Sequence, residues 1–297
     1  MDGYAIDESL VRSLLRDQHP DLATLPIREV PGGWDNQLWR LGNELAVRMP
    51  RTQRAPSLLR KEQQWLPLLA PRLPLPVPCP MRVGEPSERF PFPWTVVAWV
   101  PGEPSDHATI DRPTHAAEQL AGFLRALHLP APADAPANAP RGAQLIAVDG
   151  EFEKLFRAVA PTGLATAEVR ASWEDSVAAP TWDGPAVWLH ADLHPANAVV
   201  ADGTLAGVID FGDLCAGDPA TDLSAAWLLL PSTGLPAALD AYDPADPAMI
   251  RRARGWALLR SLALIDIGRA GDRGLPGGKP TWGPAGRAAL ARVLAST

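Results

Sequence analysis

The rhythm of apolar and polar positions changes once along this chain, near Pro101-Gly102. Before that point the apolar runs are short. Ile27 to Val30, Gln37 to Leu41 and Glu44 to Met49 read as three strands, with Gly42-Asn43 supplying a tight turn between the second and third. From Ser57 to Leu66 apolar residues recur at three- and four-residue spacing, which predicts a helix that Pro67 ends or kinks just after Leu66. Met81 to Gly84 and Trp94 to Val100 add two strands, the second nearly all apolar and therefore central. Residues 1–100 are thus expected to form a lobe with a small antiparallel sheet and one helix packed on it.

Beyond Pro101-Gly102 the period lengthens to that of helices, at about 113–128, 149–160, 218–230 and 247–270. One interruption matters. Ala198 to Val200 and Thr204 to Ile209, joined by Ala201-Asp202-Gly203, predict a hairpin inside an otherwise helical second lobe, residues 101–297. The fold class expected is α+β and bilobal. Proline is abundant, 33 of 297 residues, against a typical usage of about 5%. It concentrates in Leu73 to Pro80 and Leu129 to Pro140, which should be extended because proline fixes its own φ and restricts its predecessor.

Composition narrows the function. A hydrophobic fraction of 46% over 297 residues can fill one large core or two modest ones. The net charge of -7 offers no basic footprint for nucleic acid and mildly favours cationic or neutral partners. Cys79 and Cys215 stand alone, without the dense pairing of a secreted disulfide scaffold, so a reducing cytoplasm fits. The start, Met1 to Asp7, lacks a basic and apolar leader, and no apolar run approaches the roughly 20 residues that span a bilayer. A soluble cytoplasmic protein without a membrane partner is expected; the sequence does not specify its oligomeric state.

The candidate chemistry lies in Trp188-Leu-His-Ala-Asp-Leu-His-Pro-Ala-Asn197 and Gly207-Val-Ile-Asp-Phe-Gly-Asp213. Asp192 can accept a hydroxyl proton, and the amide oxygen of Asn197 and carboxylate of Asp210 are hard donors suited to Mg²⁺. This is what phosphoryl transfer from ATP to a hydroxyl requires. His190-Ala-Asp192-Leu-His-Pro-Ala-Asn197 resembles the HxDxxxxN catalytic loop of the aminoglycoside phosphotransferase and choline kinase-like branch of the protein-kinase-like superfamily. Ile209-Asp210-Phe-Gly-Asp213 resembles its IDxxD metal segment, and Gly217-Asp-Pro-Ala-Thr-Asp222-Leu223 its GDPxxDL helix start. The resemblance implies Asp192 as catalytic base, His190 as a brace for the loop, Asn197 and Asp210 as magnesium ligands, and Asp222 as an anchor beneath the loop.

The first lobe would then bind the nucleotide. Pro31-Gly32-Gly33-Trp34-Asp35-Asn36 can bring backbone N–H groups over phosphates, or serve simply as a two-glycine hairpin. Alternation places Ala46 and Arg48 on one strand face and Leu45, Val47 and Met49 on the other. Ala46-Val47-Arg48 resembles the family strand that ends in a phosphate-binding lysine, with arginine substituted and Ala46 roofing the adenine. Glu62 falls on the helix stripe of Leu58, Leu59, Trp65, Leu66 and Leu69, so a buried carboxylate needs a cation, and the family ion pair would be Arg48–Glu62. Trp94 to Glu103 resembles the hinge, with the backbone of Ala98 to Val100 holding the adenine.

The acceptor is a small molecule with a hydroxyl. By resemblance it is an aminoglycoside-type antibiotic whose ammonium groups meet Asp213, Asp266 or Asp272, with Glu151 and Glu153 in reserve. An amino sugar, an amino alcohol or another antibiotic class is the alternative. Two readings lie outside small-molecule kinases: a nucleotide-binding module without activity, and a metallohydrolase using His190, Asp192 and His194 as zinc ligands.

Overall fold

The computed structural model describes residues 5–138, 140–242 and 246–296; Met1 to Tyr4 and Ala139 of the second proline-rich stretch lie outside them. The chain separates into two compact units. The first comprises Met1–Pro101 together with Val208–Gly212, and the second Gly102–Gly207 with Asp213–Thr297. The return of Val208–Gly212 to the first unit has no counterpart in the periodicity.

In the first unit, α1 (Glu8–Gln18) precedes β1 (Ile27–Val30), β2 (Asn36–Leu41) and β3 (Leu45–Pro50). Helix α2 (Ala55–Leu69), β4 (Pro80–Gly84) and β5 (Trp94–Ala98) follow. The five strands pair antiparallel in the order β1-β2-β3-β5-β4, with β5 inside the sheet as its apolar run predicts. One core joins Trp39, Leu41, Val47, Met49 and Val96 to Val11, Leu14 and Leu15 of α1. The strand periodicity does not announce α1, although Asp7 caps it by accepting from the Leu10 N–H at 2.8 Å. Pro67 neither ends α2 nor limits it, because Pro67 is exposed while Leu66 and Leu69 on either side are buried. The missing N–H falls on the solvent side, where its loss costs least.

The second unit is mainly helical. It opens with β6 (Glu103–Pro104) and runs through α3 (Pro113–Leu127), α4 (Asp149–Val159) and α5 (Ala167–Val177) to β7 (Val187–Leu189). The expected hairpin is β8 (Ala198–Ala201) and β9 (Thr204–Val208), turned by Asp202 at φ 51° and Gly203 at φ 71°. After β10 (Cys215–Gly217), the single helix expected over 218–230 is divided into α6 (Ala220–Leu223) and α7 (Ala225–Leu229) at Ser224, whose hydroxyl bonds back to the Thr221 carbonyl. Helix α8 (Leu235–Ala241) leads to the long α9 (Pro247–Asp272) and to α10 (Trp282–Ala295). Helix α9 is the axis of the unit, packed against α4, α5, α6 and α10. At Gly268 a side chain is impossible, since its Cβ would lie 2.2 Å from the Gly283 nitrogen. Among the described residues no helix is long and apolar enough to cross a membrane.

Candidate active site

The first unit assembles a charged cluster on the α2 side of β3. Because Val47 and Met49 fill the core with α1, Ala46 and Arg48 point the other way, and Glu62 on the buried stripe of α2 meets Arg48. Arg48 Nη1 donates to Glu62 Oε2, and Arg48 Nη2 lies 3.6 Å from Asp210 Oδ1. Asp210 reaches this position because Val208 N–H donates to the Pro76 carbonyl at 3.0 Å, tying the returning segment to the first unit. Asp210 has φ 64°, unusual for a non-glycine residue, and its side chain is half exposed. Burial pushes the Glu62 carboxyl up to about 7, outweighing the pull of Arg48, and Asp210 adds to the rise. Burial opposes the charge on Arg48, yet Glu62 and Asp210 hold its pKa above the ordinary value.

Gly32 and Gly33 lie in an exposed turn at φ 117° and 56°. Arg51 donates to their carbonyls and to that of Trp34, at 3.1 Å for Trp34, so the turn's acceptors are engaged. Asn36 begins β2 with its side-chain oxygen buried and unpartnered among the described residues. At the end of β5 the N–H groups of Ala98 and Trp99 donate to the carbonyls of Cys79 and Glu44 at 2.9 and 2.7 Å. Those two donors belong to the sheet; Val100 follows them with its side chain buried.

The second unit holds the loop after β7. Val187, Leu189, Ala191 and Cys215 form a small core that fixes its start. Ala191 stands at φ 66°, a strained conformation for a residue with a Cβ. Asp222 at the start of α6 grips the loop from one side, accepting from the N–H groups of His190 and Ala191 at 2.6 and 2.8 Å. Behind Asp222, His128 Nε2 lies 3.4 Å away, and its other ring nitrogen is 2.6 Å from the Tyr242 hydroxyl. His190 braces the turn by accepting from the Asp192 N–H at 3.2 Å.

Asn197 Nδ2 donates to the Asp192 carbonyl at 2.9 Å, which engages the donor end of the amide. Asn197, in the second unit, and Asp210, in the first, carry oxygen donors of the hard type that suits Mg²⁺. His194 instead caps the short turn that follows, accepting from the Ala196 N–H at 3.3 Å. Among the described residues no group of three or more His, Cys, Asp or Glu side chains is placed to hold a metal ion, which leaves the zinc reading without a ligand set.

Two arginines complete this loop, and neither is marked as a site residue by any sequence motif. Arg141 Nη1 and Arg260 Nη1 both meet Asp192 Oδ1, the second at 3.1 Å. Burial alone would raise the Asp192 pKa, but His194, Arg141 and Arg260 hold the carboxyl well below the usual carboxylate range. The predicted acceptor acids fare differently. Asp213 is buried, accepting from Asn138 at 3.1 Å and lying 3.4 Å from Arg141 Nε. Asp266 is 3.9 Å from Arg269, Asp272 ends α9 in an exposed position, Glu153 pairs with Arg170 and Glu151 is exposed.

A family model described as the phosphotransferase enzyme family (APH) matches residues 26–256. The chain belongs to the phosphotransferase enzyme family. Its general activity is phosphoryl transfer. Comparison with curated protein sequences gives no match. Among solved structures it is similar to aminoglycoside 2'-phosphotransferase-IIIa in its GDP complex, with a TM-score of 0.67 and 19% identity over 98% of this chain and 99% of that one. It is also similar to the macrolide 2'-phosphotransferase MphH from Brachybacterium faecium, with a TM-score of 0.60 and 22% identity over 94% and 98%. The streptomycin–ATP–APH(2")-IIa ternary complex matches at a TM-score of 0.59 and 17% identity over 88% and 91%. At these identities the likeness is one of fold, and it confirms the bilobal α+β class with a sheet lobe followed by a mainly helical lobe.

Proposed function

We propose that this phosphotransferase-family chain transfers the γ-phosphoryl group of ATP, with Mg²⁺, to a hydroxyl of a small molecule in the cytoplasm. The observation that carries the reading is the pairing of Asp192 and Asn197. A carboxylate and an amide sit five residues apart on one loop, tied by the hydrogen bond from Asn197 Nδ2 to the Asp192 main-chain carbonyl. Asp192 accepts the acceptor's hydroxyl proton through Oδ2, while Asn197 and Asp210 hold the metal. Mg²⁺ supplies charge neutralisation on the phosphates. Arg48, kept cationic by its two carboxylates, pairs with the nucleotide phosphates through its fork. The Gly32-Gly33 turn and Asn36 cover them, and Ala46, Ala98 and Val100 receive the adenine.

An aminoglycoside-type antibiotic is the leading acceptor, with Asp213, Asp266 and Asp272 as the acids that receive its ammonium groups. One observation favours a second reading, a less cationic acceptor such as another antibiotic class, an amino sugar or an amino alcohol. Asp213 is already matched by Arg141, and Asp266 by Arg269, so two of the three acids carry their own countercharge. The experiment is Mg²⁺-dependent ADP release against a panel of aminoglycosides, macrolides, amino sugars and choline-like alcohols, with Asp192→Asn as control. Stimulation by a panel member, abolished in the control, supports the reading. No stimulation by any member, or equal turnover by the variant, rejects it.

A further inference from the structure

Oδ1 and Oδ2 of Asp192 have different surroundings. Arg260, from the middle of α9, places Nη1 at 3.1 Å from Oδ1 and Nη2 at 2.5 Å from the Ala191 carbonyl. Arg141, from the loop before α4, donates through Nη1 to the same Oδ1 and lies 3.1 Å from the same carbonyl. Among the described residues the contacts of Oδ2 are longer, with Asn197 Nδ2 at 3.5 Å and His194 Nε2 at 3.8 Å. Two guanidiniums from distant parts of the chain thus converge on one carboxylate oxygen and one peptide oxygen.

Stability alone does not call for this arrangement. Arg141 also serves Asp213, 3.4 Å from its Nε, so the two arginines balance two carboxylates, yet both guanidiniums are aimed at one oxygen of Asp192, where they repel each other. Arg260 is also largely buried, its side chain 11% exposed, and among the described residues its Nε has no hydrogen-bond partner. The residue whose carbonyl the arginines hold, Ala191, is the strained one at φ 66°. Asp222 holds the N–H of that residue, so Ala191 is fixed at both ends. Strain that charged groups over-determine in this way is characteristic of sites where geometry is needed for function.

We propose that Arg260 and Arg141 are positioning residues for phosphoryl transfer, pinning Oδ1 of Asp192 and the Ala191 carbonyl so that Oδ2 alone faces the acceptor hydroxyl. The inference rests on the phosphotransferase reading above. A carboxylate free to rotate would present either oxygen over a range of directions, whereas one clamped at Oδ1 offers a single lone-pair geometry to the incoming hydroxyl. In Arg260 the planar fork spans the two acceptors, Nη1 on the carboxylate oxygen and Nη2 on the peptide oxygen, a fixed geometry that a single ammonium nitrogen does not reproduce.

The test uses the full chain and the best acceptor from the panel. In Arg260→Ala, kcat should fall about 10²-fold, the scale of a misplaced catalytic group, with KM for ATP within about twofold of wild type. Millimolar guanidinium chloride should restore part of the loss, and sodium chloride at equal ionic strength should not. Arg141→Lys, at a side chain 30% exposed, should fold normally and lower kcat with KM for ATP unchanged. A thermal-unfolding double-mutant cycle between Arg260→Gln and Asp192→Asn reads the clamp without turnover and should be non-additive. Unchanged kcat, a loss that guanidinium does not restore, or additivity in the cycle would each overturn the proposal. If no acceptor is turned over while the cycle remains non-additive, the clamp stands as a contact and the phosphotransfer reading, and with it the positioning role, falls.

Discussion

Each unit buries a carboxylate against arginine, and the two outcomes are opposite. In the first unit one guanidinium, Arg48, is shared between Glu62 and Asp210, and the more buried Glu62 is pushed up to about 7. In the second, two guanidiniums meet Asp192, one of them shared with Asp213, and the Asp192 carboxyl is held well below the usual range. The ratio of cations to carboxylates, set against the cost of burial, decides whether a carboxyl stays charged. A setting with a cation for each carboxylate suits a group that must remain an ionised acceptor. A carboxylate-rich setting suits an arginine that must stay charged and available to phosphate.

Removing the Asp192 carboxylate should have the largest effect. Asp192→Asn should lower kcat by about 10²–10⁴-fold, the usual worth of a positioned general base, as measured by ADP release with the active acceptor. Next comes the first unit's pair. Arg48→Ala strands Glu62 in a buried position and should cost about 3–5 kcal/mol of stability in denaturant unfolding, together with a rise in KM for ATP. Arg48→Met with Glu62→Leu should recover much of that stability and none of the nucleotide affinity. Recovery of both would show that the pair serves the fold alone.

The contrast also has a pH signature. For Asp192 the folded pKa lies below the unfolded one, so its contribution to stability is present above the ordinary aspartate range and lost as pH falls below about 4. For Glu62 the folded pKa lies above the unfolded one, so its contribution is complete below the ordinary glutamate range and lost as pH rises through about 7. Melting temperatures from pH 3 to 8 should show the acid limb flattened in Asp192→Asn. The smallest expected effect is a flattened limb between pH 5 and 7 in Glu62→Gln. The same slope in Glu62→Gln as in wild type would remove the asymmetry between the two clusters.

Much of the site could be read from sequence wherever its parts are close along the chain or share an element's period. Asp192 and Asn197 are five residues apart, so their loop geometry is local. Glu62 interrupts an apolar helical stripe, and a carboxylate on a face that must be buried requires a cation. Helices α1, α5, α8 and α10 were not legible. The last of these, rich in alanine and glycine, packs through close backbone approach and leaves a weak apolar stripe.

By itself, then, the sequence determined the two-part α+β layout, the strand alternation that turns Arg48 toward Glu62, and the spacing of the Asp192–Asn197 loop. Only the tertiary structure decided that Val208–Gly212 returns to the first unit, that His128 and Tyr242 stand behind Asp222, and that Arg141 and Arg260 meet on one oxygen of Asp192. The physical reason is that local periodicity records which face of an element is buried, because each residue's burial is repeated by its neighbours. An ion pair between distant segments involves single polar residues with no period, and it exists only once the fold has brought them together.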